Sequence, residues 1–449
     1  MSLSFLRLSV LSLVTILFCC LFPSVHAPAQ GLRAAVVKTD ITPENSQWLV
    51  GYGPRKSTGI HDRIYHRVLV LDDGTITFCL ISSDICLVSP AEYDRVAARV
   101  QQELGIEPQN LWWTVTHTHS APEVGPPGLP EVFMSERYEH EWDREYTGLV
   151  EDRLVSSIET ALASLVPAKL GIGWGHSNAN INRRAIGPDG RASLGLNPDG
   201  PVDRRIGLIR VDHLDSDQPL ALVANYAIHG TVLGQPHTEI SGDAPGIVSA
   251  YVEEKIGAPM LFINGAAGNI APIYSTYPNP RAGHLSQFQV LLGDKILEAY
   301  QQVMGTSSDI TLASGGLTVL TPRKEGLGWP EDLHAYAAQA PDGKPLIRLP
   351  IRFLRVGGQL AIWNAPLELF CEISNEIRDK SPFDYTYYFG YANGWLGYLP
   401  TAAAYAQGGY ETDVVSAFTP RAGEDLIQAV LSYLHGSMRS APIHSADNP

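Results

Sequence analysis

The feature that most limits what this chain can fold into is a repeated change of period. From residue 32 on, short β-rich runs alternate with segments whose apolar residues recur at helical spacing. "RAAVVKTDITP" and "HRVLVLDDGTITFCLISSDIC" read as strands, the second as a hairpin turning at Asp73-Gly74. "SPAEYDRVAARVQQELG" reads as a helix. Ser89 caps it, Pro90 takes the first helical position, Glu92 completes a capping box, Tyr93, Val96, Val100 and Leu104 form one face, and Gly105 ends it. A strand at "NLWWTV" follows, then a helix over about 145–165 and the strand "AKLGIGWG". Residues 178–201 read as loop, with turns at Pro188-Asp189-Gly190 and Pro198-Asp199-Gly200. The alternation resumes with "RRIGLIRVDH", "PLALVANYAIHG", a helix near 245–256, "APMLFINGAAGN", a helix near 284–303, and β-rich segments over 309–321 and 346–364. Residues 322–345 read as a surface excursion suited to a rim or lid. Strands and helices mixed in this way predict α/β layers.

Composition narrows the setting. Residues 1–29 carry one basic residue, Arg7, an apolar run from Leu8 to Phe22, and small residues near Ala27 and Ala29, the pattern of a secretory signal peptide. The expected product is secreted or periplasmic, with no integral membrane segment after signal cleavage. A net charge of -15, with 32 Lys+Arg against 47 Asp+Glu and no basic block, argues against nucleic acid as a partner. Cys79, Cys86 and Cys371, the cysteines beyond the leader, make neither a disulfide framework nor a CxxC site. The fold must rest on its core. Oligomeric state is not legible.

Chemistry gathers where strands should end. "WWTVTHTHSAPEV" brings His117 and His119 to the end of an apolar strand, where i and i+2 side chains of extended backbone share a face. "NYAIHGT" ends another strand in His229, and "SGDAPG" sets Asp243 at a helix start. "IWNAPLELFCEI" puts Glu368 in the first turn of a helix, where exposed amides favour a carboxylate, and "YFGYANGWLGYLP" carries Tyr398. Two or three histidines with a carboxylate form the usual catalytic zinc set, in which the ion lowers the pKa of a bound water. The ligands would come from distant segments with no compact motif to tie them together. Each residue also has a plainer reading: Arg183 and Arg184 as solvated loop charges, Tyr398 and Tyr410 as packing, and Asp40, Asp84 and Asp243 as caps. His61 is left out of the ligand set.

"THTHSAP", "NINRR", "NYAIHGT" with "SGDAPG", "GAAGNIAP", "APLELF" and "YANGWLGYLPTAAAYAQGGYE" occur in the order and approximate spacing of the neutral ceramidases, the non-lysosomal N-acylsphingosine amidohydrolases. The resemblance covers residues 32–435. It implies a ceramidase-type α/β/β/α fold, a layered sandwich of mixed β-sheets flanked by helices, over residues 30–436; residues 437–449 are expected to be a polar tail, and no C-terminal immunoglobulin-like domain of the kind ceramidases add is expected here. It implies Zn2+ held by His117, His229, Glu368 and Tyr398, with His119 as general base, Arg183 and Tyr398 toward the developing oxyanion, and Tyr410 positioning the substrate. The partner it implies is a small-molecule or lipid amide.

The chain departs from the family pattern at several points. It has Leu367 where the family's PGE motif has glycine, and Asn269 and Ala271 in "GNIAP" where the family's GDVSP loop has aspartate and serine. A seryl intermediate at position 271 is excluded. Three functions are therefore carried forward: a zinc amidohydrolase of ceramidase type, a zinc hydrolase of a non-lipid amide or ester, and an inactive binding homologue.

Overall fold

The computed structural model describes residues 31–274, 284–303 and 305–439. The leader expected over 1–29 lies outside the described residues, as does residue 440 onward of the expected tail. The helix Ala422–Arg439 continues past the expected boundary at 436.

Two sheets make the centre. The larger runs, in spatial order, Met260–Asn264, Pro219–Tyr226, Arg205–His213, Val166–His176, Arg33–Asp40, Tyr65–Asp72, Thr77–Ser83 and Leu111–Val115. Its inner pairs are antiparallel, but both edge pairs are parallel. The smaller sheet orders Leu312–Pro322, Pro345–Val356, Leu360–Asn364 and Tyr385–Phe389, the last two parallel, with Ala337–Gln339 added on Pro345–Val356. The strands carry apolar residues at successive positions because both faces are covered. Leu69, Leu71, Phe78, Leu80 and Trp112 face the second sheet's Leu354, Ile362 and Phe389. Their neighbours Val68, Val70, Cys79, Ile81 and Trp113 face the helices Pro90–Leu104 and Arg144–Ala163. Trp112 and Trp113 thus serve opposite layers, as strand alternation requires, and truncating either to alanine should cost about 3–5 kcal/mol. The helix Asp243–Ile256 covers Leu222, Ala224 and Phe262, and Cys371–Lys380 and Ala422–Arg439 belong to the core that includes Phe353 and Trp363. The layering is α/β/β/α, as expected.

Local signals account for several boundaries. Asp73 Oδ1 accepts from the amides of Thr75 at 2.8 Å and Ile76 at 2.7 Å, and Gly74 takes φ 83°, which closes the expected hairpin. Ser89 caps Pro90–Leu104, and Gly105 ends it at φ 71°. The capping box does not form: Glu92 turns to Arg95 at 2.9 Å. Cys79, Cys86 and Cys371 are free, as the absence of a disulfide framework predicts, and all three are buried.

Two expectations are corrected. Residues 178–201 are not loop: Asn180–Ile186 and Ala192–Asn197 form a hairpin, with Ile270–Pro272 pairing alongside. Both Pro-Asp-Gly turns fall outside these strands, but the strands themselves are polar and are held by tertiary partners, so their composition concealed them. Residues 322–345 contribute the buried Leu333 and Tyr336 to the main core and do not line the cavity described below. Among the described residues, no helix is long and apolar enough to cross a membrane.

Candidate metal centre and active site

Parallel pairing sets two strand ends at the same edge, and the two central sheets do so three times. After Leu111–Val115 comes His117, after Pro219–Tyr226 comes His229, after Leu360–Asn364 comes Glu368, and after Tyr385–Phe389 come Tyr391, Trp395 and Tyr398. Buried asparagines stitch these ends together. Asn264 accepts from the Ile228 amide at 3.0 Å and donates to Ile228 O at 2.7 Å and Thr116 O at 3.3 Å. Asn393 Oδ1 accepts from the Trp113 amide at 2.9 Å. Gly230 lies so close to the backbone of His117 and Thr118 that a Cβ there would sit 2.6 Å from His117 O.

Two local readings change. The strand before the histidines stops at Val115 and His117 has φ 61°, so a left-handed residue, rather than strand alternation, turns the two rings toward each other. Glu368 is not in a helix. It lies in the strand Glu368–Leu369, paired parallel with Tyr398–Leu399 so that Glu368 and Tyr398 are direct partners, and the helix begins only at Cys371. Its carboxylate is held by side chains: Trp395 Nε1 donates to Oε1 at 2.9 Å and Tyr391 OH to Oε2 at 3.3 Å.

His117 Nδ1 donates to Cys86 O at 2.8 Å and His229 Nδ1 to Ile270 O at 3.0 Å, which leaves both Nε2 lone pairs facing the cluster. Glu368 Oε2 is 3.5 Å from His117 Nε2 and 3.1 Å from His229 Nε2, and Tyr398 OH is 3.3 Å from His229 Nε2. Ligands bonded tetrahedrally at about 2.0–2.1 Å stand about 3.3 Å apart, so the donors are spaced as a zinc-sized ion requires. The ligand atoms of His117, His229 and Glu368 form one close group, and those of Cys86, His117 and His119 a second that shares His117. The residues fit a divalent metal.

The electrostatics agree. Burial, with Arg183 nearby, drives His229 down to about 3, and burial lowers His117 as well. Burial alone would raise Glu368, but His117, His229 and Arg183 overcome it and hold the carboxyl at about 2. Burial raises the Tyr398 phenol well above its usual range, an effect the Arg183 guanidinium partly offsets. The cluster therefore presents neutral imidazoles and a carboxylate.

His119 stands beside the ligand set: its Nε2 is 3.2 Å from His117 Nε2, while its Nδ1 is buried without a partner. Gly51, at φ 100°, passes directly against this ring. Arg183 NH2 donates to Tyr398 OH at 3.0 Å and NH1 to His229 Nε2 at 3.0 Å. Far from being solvated, Arg183 and Arg184 are buried and share Glu411, at 2.9 and 2.7 Å. Tyr410 stands at the cavity wall with its ring 5.9 Å from Tyr398. All seven predicted site residues therefore come together. His61 is elsewhere, against Asp62 at 2.7 Å. Asp40 caps Thr42, Asp84 pairs with Arg67, and Asp243 accepts from Val232 and Leu233, so these three are structural. Ala271 is buried in its strand and does not line the cavity.

Sequence reasoning missed Tyr391, whose ring lies 4.3 Å from His117, and also Trp395, Glu411, Asn264 and Gly51. The aromatic run "YANGW" held a signal for the first two, and the charge beside Tyr410 in "GYE" one for Glu411.

The profile of the neutral/alkaline non-lysosomal ceramidase family, N-terminal part, matches residues 33–273. The neutral ceramidase of Pseudomonas aeruginosa is 26% identical over 59% of this chain and 41% of its own length. That of Mycobacterium tuberculosis is 27% identical over 53% of this chain and 38% of its own. The chain's matches thus span less than half the length of these relatives. In structure, the Pseudomonas aeruginosa enzyme superposes with a TM-score of 0.72 at 21% identity, covering 94% of this chain and 77% of that one. A ceramidase complexed with C2 superposes with a TM-score of 0.74 at 19% identity, over 93% and 77%. With the family profile matching more than half of this chain and the family's layers reproduced, the chain belongs to the neutral/alkaline non-lysosomal ceramidases.

Proposed function

We propose that this chain is an exported, zinc-dependent amidohydrolase that cleaves the N-acyl bond of N-acylsphingosine, giving sphingosine and a fatty acid. The observation that carries the reading is the convergence of His117, His229, Glu368 and Tyr398 on one point, with His119 beside them and not needed as a ligand. Those four residues would hold the ion. When bound, zinc acidifies water and polarises a carbonyl.

The remaining steps fall to the protein. His119 Nε2 faces the cluster and can take the proton of the attacking water, then return it to the leaving amine. Arg183, fixed by Glu411, and the Tyr398 hydroxyl it touches are donors aimed where negative charge develops on the acyl oxygen. Arg183 NH1 shares the His229 lone pair that an ion would take, so metal binding would free that donor for substrate. Tyr410 at the cavity wall positions the acyl compound. Position 271 is buried away from the cavity, so alanine there is compatible with hydrolysis. Export rests on the composition of the leader, and the lipid substrate on family membership.

The test is elemental analysis of wild-type protein and His117→Ala, with hydrolysis of a short-chain fluorescent ceramide assayed on the same samples. About one zinc per chain, lost together with activity in the variant, is expected. Undiminished activity in metal-free protein would overturn the metal reading. Zinc bound with ceramide untouched would replace the lipid by a soluble amide or ester.

A further inference from the structure

The cavity before the cluster has room for about 30 Å³, the space of a water or two. Val50, Leu87, Met134 and Trp395 supply the apolar part of its wall, and the half-buried Arg137 stands among them. Arg137 follows the short helix Leu129–Phe133, and this segment rather than 322–345 forms the rim. Among the described residues no carboxylate pairs with its guanidinium. The fully buried Arg67, Arg183 and Arg184 do have acids, Arg67 with Asp84 and Glu253, and Arg183 and Arg184 with Glu411. Arg55 borders the same centre without an acid. Arg55 is buried and donates only to the carbonyl oxygens of His119 and His237. Two guanidinium groups without an acid partner therefore stand at this centre, Arg137 in the cavity wall and Arg55 at the His119 carbonyl.

We propose that Arg137 binds a carboxylate on the amine half of the substrate, so that N-acyl amino acids are preferred over neutral amides. This rests on the amide-hydrolase reading and narrows its substrate class. To share so confined a space with the scissile amide, the anion has to lie within a few bonds of it, as an α-carboxylate does. Water adds across the C–N bond, its oxygen to the acyl carbon and its proton to the nitrogen, releasing a fatty acid and an amino acid. A guanidinium can meet a carboxylate with two parallel N–H donors, a geometry that a neutral hydroxyl cannot return.

The experiment compares kcat and KM of metal-loaded protein on N-lauroylglycine, N-lauroylethanolamine and a C12 ceramide. Wild type is expected to favour the glycine conjugate by about tenfold or more in kcat/KM, chiefly through KM. In Arg137→Gln the glycine-to-ethanolamine ratio should fall to about one, and Arg137→Lys should keep part of it. Equal rates on the two amides in wild type, or an unchanged ratio in Arg137→Gln, would overturn the inference while leaving amide hydrolysis standing. Hydrolysis of none of the three would instead remove the reading beneath it.

Discussion

Glutamine at position 411 would leave two buried guanidinium groups with the shape of their partner but not its charge. Glu411 Oε1 accepts from Arg183 Nε and Oε2 from Arg184 NH1, and all three side chains are nearly inaccessible. Glutamine keeps one oxygen and turns an amide N–H toward the other arginine, so one charged hydrogen bond becomes a donor facing a donor. Arg183 still has Glu368 within electrostatic reach. Arg184 does not: its other acceptors are the carbonyls of Ala404 and Gly408 and the Gln407 amide. Removing one partner of a buried pair costs about 3–5 kcal/mol, a large part of a typical total of about 5–15. Urea unfolding of wild type and Glu411→Gln, compared through midpoint and slope, reads this directly. Adding Arg184→Met to Glu411→Gln should recover at least about 1 kcal/mol, because the stranded charge is then gone. A loss below about 1 kcal/mol in Glu411→Gln would refute the reasoning, since the pair would then be no stronger than a surface one.

Three further outcomes are expected. Gly51→Ala builds a Cβ 2.8 Å from the Cβ of His119 and against its ring, at a backbone angle that favours glycine; ceramide hydrolysis should fall about 100-fold or more while the zinc content per chain is retained. Trp395→Phe removes the donor to Glu368 Oε1, and zinc affinity measured against a chelator should weaken about 10–100-fold. His66 is buried between Ser83 and the Val150 carbonyl, and burial depresses it from 6.5 to about 4. The unfolded chain takes up this proton first, so the contribution of His66 is complete above pH 6.5 and is lost as pH falls toward 4, by about 3 kcal/mol in all. A urea midpoint that falls as steeply over that window in His66→Gln as in wild type would contradict this.

The legible parts of the fold were those whose causes are local. The hairpin at Asp73-Gly74 and the helix from Pro90 to Gly105 close through contacts a few residues apart, so composition displayed them. Asn180–Ile186 and Ala192–Asn197 pair with each other but escaped because they are polar, and what buries them lies at Pro201, Ile270–Pro272 and Glu411. Glu368 was assigned to a helix because one begins at Cys371, and only its pairing with Tyr398 makes it a strand residue.

Residue types at strand ends, read with the family's motifs, were enough to nominate His117, His119, Arg183, His229, Glu368, Tyr398 and Tyr410 from sequence alone. Their convergence was a matter of tertiary structure. Parallel pairing sets neighbouring strand ends at the same edge, and the buried Asn264 and Asn393 tie segments more than a hundred residues apart into one rim. Spacings of 3.1–3.5 Å between donors follow from register and packing across the sheets, and no one-dimensional pattern encodes such distances. The same holds for Glu411 between its arginines and for Arg137 without an acid, because the presence or absence of a counter-charge is a property of what folding brings near.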